Sequence, residues 1–144
     1  MVWTILLQQD ALKKQGEALK IQIDALDEQI KMFKRQGLIE LHHIWTNTSD
    51  IDLDNIVVPD VIQIVNALTL TASVWNHDVI EKEIIFQNYW TLFKEHYETL
   101  HSDKILPGKN RKCRSFLTPD ISKAYSAMKK KEEDLVKTSS VGSN

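Results

Sequence analysis

Residues 10–37 read DALKKQG, EALKIQI, DALDEQI and KMFKRQG, which is one seven-residue pattern written four times. Seven residues make nearly two turns of an α-helix, so Leu12, Leu19, Leu26 and Phe33 fall on one line along its surface. A glutamine follows each of them three residues later. This heptad pattern predicts a helix with a narrow apolar stripe, which is typical of helices that pair with another helix.

Two heptad registers fit the pattern. If the leucine column is position d, position a holds Gln9, Gly16, Ile23, Ile30 and Gly37; if it is position a, the glutamines enter the seam at d. Both registers give a close-packed, partly polar seam of modest strength. We expect the interface of a homo-oligomer to comprise Ile5, Leu12, Gln15, Leu19, Gln22, Ile23, Leu26, Gln29, Ile30 and Phe33.

The heptad helix should run from about Trp3 to Trp45, because no proline interrupts it and good helix formers dominate. The Asn-, Thr-, Ser- and Asp-rich segment 46–55 should end it, since these side chains bond their own backbone. Residues 38–45, LIELHHIW, have the apolar content of a core, with Leu38, Ile39, Leu41, Ile44 and Trp45 available to it.

Three more helices are predicted, at about 59–75, 78–101 and 119–136, with a loop at 102–118. The chain should therefore be all-α, with a long N-terminal coiled-coil-type helix followed by a small helical bundle. Its parts are the heptad helix at 1–45, a compact body at 46–137 and a disordered tail at 138–144.

Composition excludes few functions. The 144 residues carry a net charge of -2, which gives no overall field for nucleic acid or anionic lipid. A single cysteine and the lack of a secretory signal pattern indicate a reducing, cytoplasmic location. The apolar start MVWTILL is far shorter than the roughly 20 residues that span a bilayer.

The stretch 104–131 is strongly basic, and its loop is the one candidate anion-binding site, at Lys109, Arg111, Lys112 and Arg114. These cations could contact phosphates of lipid headgroups or, less favoured, of nucleic acid. A solvated loop and helix face is the simpler interpretation, because Glu132, Glu133 and Asp134 follow the stretch.

No metal, cofactor or catalytic site is predicted. The alternating Asp50, Asp52 and Asp54 lack the glycine and glutamate of a calcium loop, and a turn-forming loop explains them better. The histidines are not spaced to converge on one metal. Cys113 lies beside two cations, which could lower its pKa, but we interpret it as an incidental loop cysteine.

The run LKKQGEALKIQIDALDEQIKMFKRQ into LIELHHIWTN, with Phe86-Gln87-Asn88-Tyr89-Trp90 and Phe93 later, resembles small bacterial and prophage proteins of uncharacterised function. In these a membrane-anchoring helix leads through a Gln-rich heptad stalk into a helical body, and some are labelled abortive-infection-like. This chain departs from that pattern, since its apolar start is no longer than MVWTILL.

We therefore expect a non-enzymatic helical interaction protein that self-associates through its heptad helix and presents its body to a protein partner, in phage–host conflict or as an assembly scaffold. The alternative is a membrane-proximal protein that touches lipid through its apolar N-terminus and the basic region 104–131.

Overall fold

The computed structural model of the chain describes residues 2–141 and has the predicted all-α fold. The first helix, α1, spans Val2–Thr46. The structure divides into two compact units, one ending at Gln36 and one beginning at Gly37. The sequence predicted one helix to residue 45 with residues 38–45 contributing to the core, and the last ten residues of α1 belong to the second unit, here called the body.

The body contains three further helices, α2 at Val58–Asn76, α3 at Lys82–Leu100 and α4 at Pro119–Val141. Between α3 and α4, in the predicted loop, lie the two short antiparallel strands β1 (Ile105–Leu106) and β2 (Arg111–Lys112) and a 3-10 helix at Cys113–Phe116. Pro107 and Gly108 turn the hairpin. Gly108 has φ 78°, and the Lys109 N–H donates to the Leu106 carbonyl at 3.2 Å, as in a type II turn.

The third helix begins later than predicted, because α2 is closed by a turn at residue 78. Asp78 does not begin a helix but adopts a left-handed conformation with φ 53°. The Val79 N–H donates to the Val74 carbonyl at 3.1 Å and the Asp78 N–H to the Trp75 carbonyl at 3.3 Å, which is the Schellman arrangement that closes helices. Asp78 therefore terminates α2, and α3 begins four residues later, at Lys82.

The last helix begins where the sequence predicted and ends later. Thr118 Oγ1 accepts the Ile121 N–H at 3.4 Å and Pro119 opens the helix. The helix continues beyond Val136 to Val141, so it includes residues 138–141 of the predicted tail, while 142–144 lie outside the described residues. The hydroxyls of Thr138 and Ser139 donate back to helix carbonyls at 2.9 Å, which lets these residues remain helical.

Trp45 joins the end of α1 to the rest of the body. Its indole N–H donates to Thr71 Oγ1 of α2 at 2.9 Å, and its ring stacks on His96 of α3 with centroids 5.8 Å apart. Thr71 in turn donates to the Ala67 carbonyl at 2.7 Å, so the buried hydroxyl is satisfied on both sides.

The core of the body is apolar and draws on all four helices and the hairpin. Its fully buried larger side chains are those of Leu41, Val61, Ile64, Leu68, Ile80, Ile85, Phe93, Leu100, Leu106, Ile121 and Met128. At Gly37, an added Cβ would lie 3.2 Å from Ile80 Cδ1. A side chain at this position would require Ile80 to shift by a few tenths of an ångström, whereas Gly16 has open space around it.

Charged pairs fasten α4 to α3 at the edge of this core. Glu132 accepts from the Trp90 indole N–H and from Lys94 Nζ, the latter at 2.9 Å, while Lys131 pairs with Glu83. The hydrogen bonds from Lys94 and Trp90 hold the pKa of Glu132 below its ordinary value, against a smaller opposing effect of burial.

Within residues 2–141, α2 is the helix long and apolar enough to cross a membrane, judged by length and composition. Core helices of folded bodies share these properties. In this chain α2 packs against both α3 and α4 and buries eight side chains, which are those of Val61, Ile64, Ala67, Leu68, Thr71, Ala72, Val74 and Trp75.

Replacing Leu41 with alanine tests whether the end of α1 belongs to the body. Leu41 is 0% exposed, so Leu41→Ala should reduce the free energy of unfolding by about 2–5 kcal/mol, through lost burial and the cavity left behind. Ile39 is the matched control, because it lies two residues away and is 67% exposed. Urea unfolding followed by circular dichroism should find Ile39→Ala within about 0.5 kcal/mol of wild type; equal effects of the two changes would contradict the assignment.

Candidate functional site

The heptad stripe of α1 lies on the surface of the first unit. Its apolar side chains are between 50% and 68% exposed, and these are Ile5, Leu12, Leu19, Ile23, Leu26, Ile30 and Phe33. Gln15, Gln22 and Gln29 are exposed as well. A contiguous row of exposed large apolar side chains is uncommon on a soluble surface and marks interaction sites. The predicted interface residues are thus all accessible to a partner.

The surrounding surface of α1 is solvated and charged. Lys14 pairs with Asp10 at 3.8 Å and Lys31 with Glu28 at 3.7 Å, one helical turn apart, as expected for the exposed face of a helix. Ile21 and Met32 are also exposed but lie off the stripe. At the N-terminal end, exposed apolar side chains cover more than half of the helix circumference; they are those of Val2, Trp3, Ile5, Leu6 and Leu7.

The predicted anion-binding residues lie on and beside the hairpin, where several have intrachain partners. Lys112 Nζ is 3.5 Å and Arg114 Nε 3.1 Å from the same carboxylate oxygen of Asp103. Arg111 donates to the Ser115 carbonyl at 3.2 Å and lies over the Phe116 ring, with 4.4 Å from its guanidinium carbon to the ring centroid. Asp103, one residue before the basic stretch, is the acid that sequence reasoning left out.

The body has an apolar groove between the end of α1 and α2, with a volume of about 470 Å³. It was not predicted. Ile39 was expected in the core, but it lies on the rim of this groove, because Leu38, Leu41 and Trp45 take the buried face of the helix. The lining side chains are those of Ile39, Glu40, His43, Ile44, Asn47, Gln63, Asn66 and Leu70. Apolar side chains therefore lie among polar ones, of which Glu40 is charged, and apolar grooves of this kind accept an amphipathic helix in other proteins.

A second, more polar cleft of about 330 Å³ is bordered by Tyr97, Glu98, His101, Tyr125 and Ser126. The two tyrosine rings stack with centroids 3.9 Å apart, and the Tyr125 hydroxyl donates to Glu98 Oε1 at 2.7 Å. Burial, reinforced by Glu98, raises the pKa of Tyr125. The phenol therefore stays protonated and donates its hydrogen bond to Glu98.

The acidic loop and Cys113 were the other candidate sites considered from the sequence. Asp52 Oδ1 accepts the Asp54 N–H at 2.9 Å, so the acidic loop forms the expected Asx turn. Cys113 is fully buried, and burial raises the pKa of its thiol, which opposes any activation by its cationic neighbours. Within the described range 2–141, no group of three or more His, Cys, Asp or Glu side chains is placed to hold a metal ion.

Comparisons with protein-family models, with curated proteins and with solved structures found no match to this chain.

His96 should make the stability of the body depend on pH. Its ring is 4% exposed, and burial lowers its pKa below 6.5, although Glu95 and Asp50 act in the opposite direction. As the pH falls through 6.5, the unfolded chain takes up a proton on this residue before the folded chain does. Stability should therefore fall between pH 7 and 5, by at most about 1.4 kcal/mol per pH unit from this group.

Urea unfolding at several pH values would measure this dependence. His96→Phe keeps a ring against Trp45 and should flatten the dependence. His42→Gln alters an exposed histidine of α1 and should leave it unchanged. A wild-type stability that is constant or rises as the pH is lowered, relative to His96→Phe, would contradict the assignment.

Proposed function

We propose that this chain is a non-enzymatic helical interaction protein that self-associates through the heptad stripe of α1. The observation that carries the proposal is the exposure of the whole stripe. Fully burying a leucine- or isoleucine-sized side chain contributes about 1.5–3 kcal/mol, and the stripe has six such side chains together with Phe33. A second helix is the partner that a narrow, straight, heptad-spaced row fits.

The body supplies the second part of the proposal, which is the presentation of a binding surface to another protein. The groove between α1 and α2 is large enough for the apolar side chains of an amphipathic helix, and Ile39 and Leu70 would contact them. The resemblance to prophage helical proteins extends the proposal to a role in phage–host conflict or as an assembly scaffold.

Contact with lipid is the competing candidate, and the exposed apolar N-terminal end favours it. Anionic vesicles would then retain the chain in flotation, and exchange of Lys109, Arg111, Lys112 and Arg114 for glutamine would release it. The pairing of Lys112 and Arg114 with Asp103 weakens this candidate, because a neutralised cation attracts phosphate less strongly.

Leu19→Glu with Leu26→Glu should abolish self-association. Each change places a charge in the seam in addition to removing apolar burial, so at least about 3 kcal/mol should be lost, which is roughly a hundredfold in Kd. Light scattering over a range of concentrations should give a multiple of the 16.7 kDa chain mass for the wild type and the single mass for the double variant.

Ile21→Glu is the matched control. Ile21 is 69% exposed, as apolar as Leu19, and lies two residues away on the opposite side of the helix. It should leave the mass unchanged, and circular dichroism should show that all variants keep their helix content. A monomeric wild type at every concentration, or equal losses in both variants, would remove the proposal.

A further inference from the structure

The size and charge of the columns in α1 bear on how two copies pair. Of the two heptad registers, the one with leucine at d places Ile23 and Ile30 in the seam. Of the seven apolar side chains in the stripe these two are the least exposed, at 51% and 50%, and they alternate with Leu19, Leu26 and Phe33 at spacings of three and four. This register buries more apolar surface than the one with glutamine at d.

A parallel, in-register pair would match each residue with itself. Gly16 would then face Gly16 of the other copy, and Phe33 would face Phe33. The helices could not close over the two Gly16 residues, because Leu12 and Leu19 on either side would hold them apart. Facing glycines would leave a void, and unfilled space in a seam is destabilising.

An antiparallel pair centred on residue 21 matches the columns in size, because it sets position a of one helix against position d of the other. Gly16 then faces Leu26, Ile23 faces Leu19, Ile30 faces Leu12 and Gln9 faces Phe33. No two small residues meet and no two aromatic residues meet. The small residue Gly16 is matched with a large side chain, so each of these layers of the seam contains at least one large side chain, which favours dense packing.

The charges that flank the leucine column also favour the antiparallel pair. Position e holds Lys13, Lys20, Asp27 and Lys34, all with exposed or partly exposed side chains. In the antiparallel pair, Asp27 of one copy lies between Lys13 and Lys20 of the other, about 3 Å and 7.5 Å away along the axis at 1.5 Å per residue. Two like-charged contacts oppose these: the two Lys20 side chains meet at the centre, next to both aspartates, and Lys13 of one copy lies about 7.5 Å along the axis from Lys34 of the other. In the parallel pair, these charges face glutamines at g instead.

We propose that the partner of the heptad stripe is a second copy of this chain, bound antiparallel and centred on residue 21. This inference rests on the proposed self-association. Its partner contacts are Gly16 with Leu26 and Lys13 with Asp27, each occurring twice in a symmetric pair.

A charge exchange tests the contact that only the antiparallel pair makes. Asp27→Lys and Lys13→Asp should each weaken association several-fold, and the double variant should recover most of the loss, because the pair is restored with its signs reversed. In the parallel pair the two positions do not meet, so the losses would add. Additive losses would overturn the proposal.

Distances between spin labels measure the orientation directly. The labels would be attached to cysteines introduced singly at Lys14, Ile21 and Glu28, which are exposed and lie on the side of the helix away from the stripe, with the buried Cys113 replaced by alanine. The antiparallel pair predicts the shortest distance at residue 21. At residues 14 and 28 the two labels would be offset by about 21 Å along the axis, and the two positions should give the same longer distance.

Equal distances at the three positions would show a parallel pair and overturn the inference while leaving self-association intact. A minimum at residue 14 or 28 would overturn the proposed centre. The mass of each labelled variant, measured at the same concentration, separates these outcomes from failure of the proposed function, because a monomer would give a single chain mass and no distance between labels.

Discussion

The packing of the body depends on the contacts that Trp45 makes. Its indole N–H has one buried acceptor, Thr71 Oγ1, and its ring lies flat against His96, so a single side chain fixes the end of α1 to α2 and α3. Removing the acceptor would leave a buried N–H unpaired, which costs about 1–3 kcal/mol. Leu41, one turn earlier, is fully buried in the same core.

The first unit has the opposite character, because none of the side chains from Val2 to Phe33 is buried. Its helix is maintained by backbone hydrogen bonds, good helix formers and ion pairs such as Lys14–Asp10, each of which contributes a few tenths of a kcal/mol. None of these requires leucine every seven residues. The regular spacing of the apolar side chains is therefore unexplained by the helix alone, and association is the physical reason that we propose for it.

The fold class and most of the helices could be predicted because they depend on local pattern. The heptad, the proline at the start of α2 and the Thr118-Pro119 start of α4 each act within a few residues. The errors arise where tertiary contacts or unusual backbone conformations determine where a helix begins or ends. Asp78 looks like a helix start, yet it closes α2 with a left-handed conformation. Ser and Thr after Val136 suggest an end, yet their hydroxyls bond within the helix.

The same distinction between local pattern and tertiary contact explains which candidate sites could be predicted. The stripe on α1 could be found because periodicity shows which residues share a face. The groove between α1 and α2 could not, since it depends on which side of residues 38–45 turns inward, and the apolar letters of LIELHHIW do not decide this. The basic hairpin looked like a free cluster, because the pairing of Lys112 and Arg114 with Asp103 depends on the turn at Pro107 and Gly108.

The two glycines of the heptad, Gly16 and Gly37, differ in what surrounds them. Glycine within a helix costs about 1 kcal/mol relative to alanine, and in an exposed helix nothing in the same chain offsets this. At Gly37 an offset is visible, because Ile80 packs so closely that an added Cβ would lie 3.2 Å from its Cδ1. Gly16 stands at the same heptad position and has open space around it. By the same logic, the space at Gly16 fits a large side chain from another helix, and Leu26 of a second copy is the residue that the antiparallel pair would place there.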